Sequence, residues 1–323
     1  MKTKVVYIFV SQETDYYYEM MLLSIRSIRL HHKVGAPDLV VLTDNDTYQR
    51  FHKKWHKDNV PPPIVVDIPQ EYTTVQRSRY LKTNLRKLVT GDFLYTDIDT
   101  LICEPLNEID YIQSDVAMVA NGNNGLPLRN LSDIQLCKQA GFLHQEQQPY
   151  FNSGVIYSKD TPVAAQLFDL WHCLWLQSLQ NGVHQDQPAL CQSNIRLNYP
   201  IQELSTIWNC HIGGYHILSK VKVVHYFTFN SLHRTILFEQ IRKEGVNCSL
   251  ADDIVHNPKT VGYSFFTMRD EAFAKYITSE LLFIYETLPP LFRFLTSLSC
   301  LLKRPAFFIV KIKNRLKNKY VKA

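Results

Sequence analysis

Two carboxylates one residue apart, Asp97 and Asp99, close an apolar run, Phe93-Leu94-Tyr95-Thr96. Acids held that close repel each other unless a cation offsets them, so the pair is a candidate divalent-metal site. The run reads as a buried strand bounded upstream by Gly91-Asp92, and the ends of strands are where open α/β sheets take their ligands. Side chains alternate along an extended chain, which predicts Asp97 and Asp99 on one side of it. The plainer alternative is turn chemistry, because Asp also closes turns and caps helices. His225 follows the strand-like Val221-Lys222-Val223-Val224. A lone His there can be structural, but added to two Asp it completes a donor set suited to manganese.

The elements that must position these groups are legible from periodicity. Val5 to Val10 reads as a first strand, and Tyr18, Met21, Leu22, Ile25 and Ile28 then recur at helical spacing, with Thr14 or Asp15 to cap the helix and Gly35 to end it. Asp38 to Asp44 and Pro63 to Ile68 read as two more strands. Strand and helix in alternation predict a Rossmann-like half with a nucleotide as its tenant. No Gly-x-Gly-x-x-Gly follows the first strand and no Gly-Lys-Ser/Thr loop occurs, so a pyrophosphate must be held by other means, and a metal on Asp97 and Asp99 would do it.

From Gln76 to Val89, Leu81, Leu85 and Leu88 mark the buried stripe of one helix, and its basic residues are either a solvated face or, for Arg79 and Lys82, contacts to an anionic ligand. Beyond the Asp pair, Val116 to Ala120 reads as a strand followed by the loop Asn121-Gly122-Asn123-Asn124-Gly125. Asn152-Ser153-Gly154 sits just before another apolar strand, and a helix opens at Thr161-Pro162. His184-Gln185-Asp186-Gln187-Pro188 is a polar cluster in which Asp186 is placed to cap the next helix.

The composition, 46% hydrophobic and 20% charged over 323 residues, is that of a globular protein that is neither disordered nor membrane-spanning overall. Seven cysteines without Cys-x-x-Cys spacing predict reduced thiols rather than a disulfide framework or a zinc site. Met1 to Val10 is too short for a secretory signal and reads as the first strand, which predicts a protein that is not exported. Asn130-Leu131-Ser132 and Asn247-Cys248-Ser249 are then chance matches to glycosylation acceptors.

Taken in order, Arg79-Tyr80-Leu81-Lys82, Phe93-Leu94-Tyr95 with Asp97-Ile98-Asp99, Phe151-Asn152-Ser153-Gly154-Val155, His184-Gln185-Asp186, Trp208-Asn209 and His225 resemble the nucleotide-diphosphosugar transferases of the GT-A fold. The likeness is strongest to glycosyltransferase family 8-like bacterial enzymes of the lipopolysaccharide or capsule type, and it covers about residues 4 to 230. It implies an α/β GT-A domain over residues 1–268 and a metal-dependent transfer of a hexosyl group, with retention, from a UDP-sugar to a sugar hydroxyl of a glycan or glycolipid. Asp97, Asp99 and His225 would hold Mn2+ or Mg2+. Asn152 and Asp186 would bond sugar hydroxyls, and Gln185 would lie on the β face of the reacting sugar. Ser11, Gln12 and Tyr17 would take the uracil. In the family the late His is followed by Gly and then a Lys near the β-phosphate; here Tyr226 follows His225, so that phosphate contact is missing or is replaced by Lys222 or Arg234. The family pattern around Gln185 often begins with Asp, where this chain has His184. An HAD-type phosphatase fits less well: its Asp pair belongs on the opening strand and takes Thr or Val where this chain has Leu101. A non-catalytic sugar-nucleotide or glycan-binding module is the other alternative.

Nine of the 35 basic residues and none of the 30 acidic ones lie from Thr287 onward, which leaves the first 286 residues with a net charge of −4. The longest charge-free run there, between Arg293 and Lys303, is nine residues, far below the roughly 20 that a spanning helix needs. Residues 269–323 therefore read as a helical, amphipathic, basic extension suited to an anionic membrane surface or to packing on the catalytic domain, with no nucleic-acid partner. The expected location is cytoplasmic, peripheral on the cytoplasmic face of the inner membrane.

Overall fold

A computed structural model describes residues 1–11, 15–32, 34–58, 60–121, 131–142, 148–211 and 221–225. The basic extension and Arg234 lie outside the described residues, as do Gln12 and Thr14.

The first third alternates as its periodicity predicts: β1 (Lys4–Ile8), α1 (Asp15–His31), β2 (Leu39–Asp44), α2 (Asn45–Lys57), β3 (Ile64–Val66) and α3 (Thr74–Thr83). The start of α3 is fixed by a reciprocal capping box between Thr73 and Gln76, a feature worth about 1 kcal/mol. The single helix expected from Gln76 to Val89 is broken. Asn84 leaves helical geometry at ψ 8° and bonds back to Tyr80, so α4 (Leu85–Leu88) starts anew.

β4 (Phe93–Thr96) is wholly buried, and β5 (Thr100–Ile102) leaves it after a turn that carries both acids. Then come β6 (Val116–Ala120), α5 (Leu131–Gln139), β7 (Phe151–Ser158), α6 (Pro162–Gln180), α7 (Gln187–Arg196), β8 (Ile201–Glu203), β9 (Cys210–His211) and β10 (Val223–His225). The main sheet has the order β3-β2-β1-β4-β7-β6-β8. β7 is antiparallel to both of its neighbours, and every other pairing in this sheet is parallel. A second small sheet sets β10 antiparallel to β5 and parallel to β9.

Both faces of the main sheet are covered, which is why its central strands read as continuous apolar runs. Val6, Ile8, Phe93, Tyr95 and Ile156 pack with Leu81, Leu85, Trp171 and Trp175. Val5, Tyr7, Phe9, Leu94 and Val155 pack with Met21, Ile25, Phe51 and Trp55. The five described cysteines are free, four of them buried. Among the described residues no helix is long and apolar enough to cross a membrane.

Candidate active site

The acids converge through a turn and not, as the alternation argument predicts, through an extended strand: Ile98 and Asp99 form the turn between β4 and β5. Asp97 is fixed there by its own backbone, its N–H donating to Gly154 O at 2.7 Å and its carbonyl accepting from Thr100 Oγ1 at 2.8 Å. The pairing of β10 with β5 sets His225 opposite Thr100, three residues beyond Asp97. His225 Nε2 consequently lies 3.3 Å from Asp99 Oδ1 and 3.8 Å from Asp97 Oδ2. One ligand atom from each of the three residues falls within 4.8 Å of the others.

This donor set fits a divalent cation. Asp97 Oδ1 is occupied by Lys82 Nζ at 2.8 Å and by the Tyr95 hydroxyl, which turns Oδ2 toward His225. The imidazole Nδ1 bonds Asn209 Oδ1 at 2.9 Å, so Nε2 is the nitrogen presented to the acids, in the arrangement typical of a metal-ligating His. Two carboxylates and one imidazole suit manganese better than an all-oxygen cation such as calcium.

Gly154 makes room for this histidine. A Cβ on Gly154 would lie 2.1 Å from His225 Cε1 and 2.7 Å from Nδ1, so glycine is required by the ring and not by a turn. Asn152-Ser153-Gly154 is part of β7 itself, where the pairing with β6 slips between Met118 and Val119. Such an irregularity re-aims side chains next to a site.

A cavity of about 470 Å³ opens at the carboxyl ends of β1 and β4, with Ser11, Tyr17, Arg79, Tyr95, Asp97 and Asp99 in its lining. Its volume is in the range of small-molecule sites. Four residues picked from the sequence for nucleotide contact, Ser11, Tyr17, Arg79 and Asp97, thus share one cavity with Asp99.

No protein-family model matches the sequence, and no curated protein sequence matches it. Solved structures do match. The galactosyltransferase LgtC, in complex with donor and acceptor sugar analogs, aligns over 74% of this chain and 96% of its own at 14% identity and a TM-score of 0.50. An active-site Gln-to-Glu mutant of LgtC aligns over 69% of this chain and 87% of its own, also at 14% identity and 0.50. The bifunctional glycosyltransferase WbbM aligns over 71% of this chain at 18% identity and 0.51, and this chain spans 46% of that one. The chain has a GT-A fold.

Within this GT-A fold the remaining residues expected at the site divide. Lys82 is 1% exposed, donates also to Ser153 O at 3.3 Å and lies 5.0 Å from the Tyr95 ring centroid. It is an internal counter-ion to Asp97 and is not in the cavity lining. Arg79 does face the cavity, and its Nε lies 3.0 Å from Asp186 Oδ1. Asp186 stands at the start of α7, yet its side chain makes no capping bond. Burial pushes its carboxyl up, but Arg79, Lys82 and a hydrogen bond with Ser153 outweigh that and hold it below the ordinary carboxylate value. The loop before it is secured by two indoles of α6, Trp171 Nε1 donating to Asp186 O and Trp175 Nε1 to His184 O.

Gln185 is exposed on that loop, whereas Gln187, not singled out by the sequence, is half-buried and donates through Nε2 to Phe151 O at 2.9 Å. Asn152 commits its oxygen to Gly154 N and Asn209 Nδ2, and its amino group bonds Asn121. Lys222 does not replace a phosphate-binding lysine. It is buried beyond the far end of β10, donating to Pro105 O and Glu108 Oε1 and lying over the Trp208 ring. Its partners explain the miss: Pro105, Glu108 and Trp208 are far from it in sequence. Asn209 was visible in the sequence only as part of Trp208-Asn209, and no local spacing connects it to His225.

Proposed function

We propose that this chain is a divalent-metal-dependent glycosyltransferase that moves a hexosyl group, with retention, from a UDP-sugar to a sugar hydroxyl of a cell-surface glycan or glycolipid. The observation that carries the reading is the cluster of Asp97, Asp99 and His225 beside a nucleotide-sized cavity at the strand ends of a GT-A fold. LgtC is a galactosyltransferase that holds donor and acceptor sugar analogs, which supports sugar partners on both sides of the reaction.

Asp97 Oδ2, an Asp99 oxygen and His225 Nε2 would hold the cation, Mn2+ before Mg2+ because of the imidazole. Bound there, it would supply Lewis-acid stabilisation of the charge that develops on a nucleoside diphosphate leaving group. Lys82 and Tyr95 keep Asp97 oriented for that task. Ser11 and Tyr17, with Gln12, take the base. Arg79 contributes a fixed positive charge at the cavity wall, aimed by its pair with Asp186. Asp186 and Asn152 orient the sugar through its hydroxyls, Asn152 through its amino group because its oxygen is occupied. Gln185 is assigned to the face of the reacting sugar; Gln187, on the other side of Asp186 and more enclosed, is the alternative for that role. The basic extension from Thr287 onward supports attachment to an anionic membrane surface on its cytoplasmic face, where a lipid-linked acceptor would be met.

Thermal-shift screening of UDP-, GDP- and CMP-sugars with and without Mn2+ tests this reading. A Mn2+-dependent stabilisation by one UDP-sugar is expected, with transfer abolished in Asp97→Ala and Asp99→Ala variants that stay folded. Full transfer by either variant, or stabilisation indifferent to metal, would overturn the mechanism.

A further inference from the structure

The histidine of the metal cluster ends a line of side-chain amides whose direction is set far from the metal. Asn209 is fully buried, and Asn152 and His225 are 5% and 1% exposed. The two ends of an amide look alike in shape, so the polarity of such a line must be deduced from a group that cannot turn around. Gly154 supplies it. A backbone N–H only donates, and Gly154 N lies 2.9 Å from one end of the Asn152 amide. That end is therefore the oxygen.

The rest follows link by link. Asn152 Oδ1 also receives a bond of 3.0 Å from Asn209, so the Asn209 end facing it is the amino group. The opposite end, Asn209 Oδ1, then faces His225 Nδ1 at 2.9 Å, and an oxygen acceptor needs a proton on that nitrogen. In the other direction Asn152 Nδ2 donates to Asn121 Oδ1 at 3.2 Å, and Asn121 Nδ2 to Asp133 Oδ2 at 3.3 Å. An ionised carboxylate only accepts, so this end agrees with the same polarity.

We propose that the Gly154 N–H, acting through Asn152 and Asn209, fixes His225 in the Nδ1–H tautomer and so directs the Nε2 lone pair at the cation. Asn209 and Asn152 are then positioning residues for the metal. With the polarity reversed, Nε2 would carry the proton toward Asp99 Oδ1, 3.3 Å away, and an N–H would stand where the cation belongs. The inference rests on the metal reading of Asp97, Asp99 and His225, and it also gives Gly154 a second reason to be there: its missing side chain seats the ring, and its N–H orients it.

The test uses the full chain labelled with 15N-histidine and freed of metal, at pH 8, with the His225 signals assigned by their loss in His225→Gln. The Nδ1–H tautomer is expected for His225 in the unaltered protein, and the Nε2–H tautomer would overturn the proposal without any further variant. Asn209→Leu should mix the tautomers and weaken Mn2+ binding by roughly 10- to 100-fold, as loss of an outer partner does elsewhere. Asn209→Asp, which still accepts the Nδ1–H but sets a second oxygen against Asn152 Oδ1, should restore the Nδ1–H tautomer. Unchanged Mn2+ affinity in Asn209→Leu would overturn the positioning role. A protein that shows the Nδ1–H tautomer but binds no Mn2+ would defeat the metal reading while supporting the amide line, so the two failures are distinguishable.

Discussion

His225 and His172 each bond a neighbouring Asn through Nδ1, and the difference between them lies in what faces the rest of the ring. His225 Nδ1 meets Asn209 Oδ1, and its Nε2 looks onto two carboxylates of the β4–β5 turn. His172, on α6, has Nδ1 2.8 Å from Thr83 Oγ1 and 3.0 Å from Asn84 Nδ2, and its ring packs against Tyr80 and Trp175. Burial lowers its pKa to about 4, with Lys87 adding to the effect and Asp169 opposing it. His172 thus ties α6 to the break between α3 and α4 as a neutral ring, while His225 belongs to a cluster that could hold a metal. Residue type is shared; the charge facing Nε2 is not.

The most damaging change to this contrast is Gly154→Ala, because the new methyl would overlap the His225 ring. Its Mn2+ affinity, read by titration on a variant with unchanged far-UV circular dichroism, should fall by more than the roughly 10- to 100-fold expected from losing an outer hydrogen bond. Affinity within a few-fold of the original would mean that the ring does not depend on its seat. The smallest effect on the metal belongs to His172→Gln, which should leave Mn2+ binding unchanged and flatten the acid side of the stability profile. A His whose folded pKa is depressed favours folding above its unfolded value of 6.5 and loses that contribution as pH falls toward about 4. Chemical denaturation at steps between those values should show a shallower loss in the variant; an identical slope would clear His172 of any part in acid unfolding.

What the sequence disclosed about this molecule was local. The apolar run ending at Thr96, the alternation from β1 to β3, and Pro162 at the start of α6 all announce themselves within a few residues. The break at Asn84 does not, since the leucine stripe runs straight through it and the cause is a side-chain bond back to Tyr80. The same holds at the site. Asp97, Asp99 and His225 could be picked out by type and order, but for Lys82 the sequence leaves both a solvated face and an anionic ligand open, because 71 residues of separation hide its contact to Ser153. The need for Gly154 is equally hidden, because the ring it accommodates comes from another sheet. Asn209 reaches Asn152 across 57 residues, and periodicity carries no information at that range.

The central claim is that Asp97, Asp99 and His225 form one cation site. It is tested most directly by titrating the protein with Mn2+ and following free Mn2+ by electron paramagnetic resonance, alongside Asp99→Asn and His225→Gln. One saturable site in the unaltered chain, lost or severely weakened in both variants, is the predicted result. Binding in the variants equal to that of the unaltered chain would contradict it.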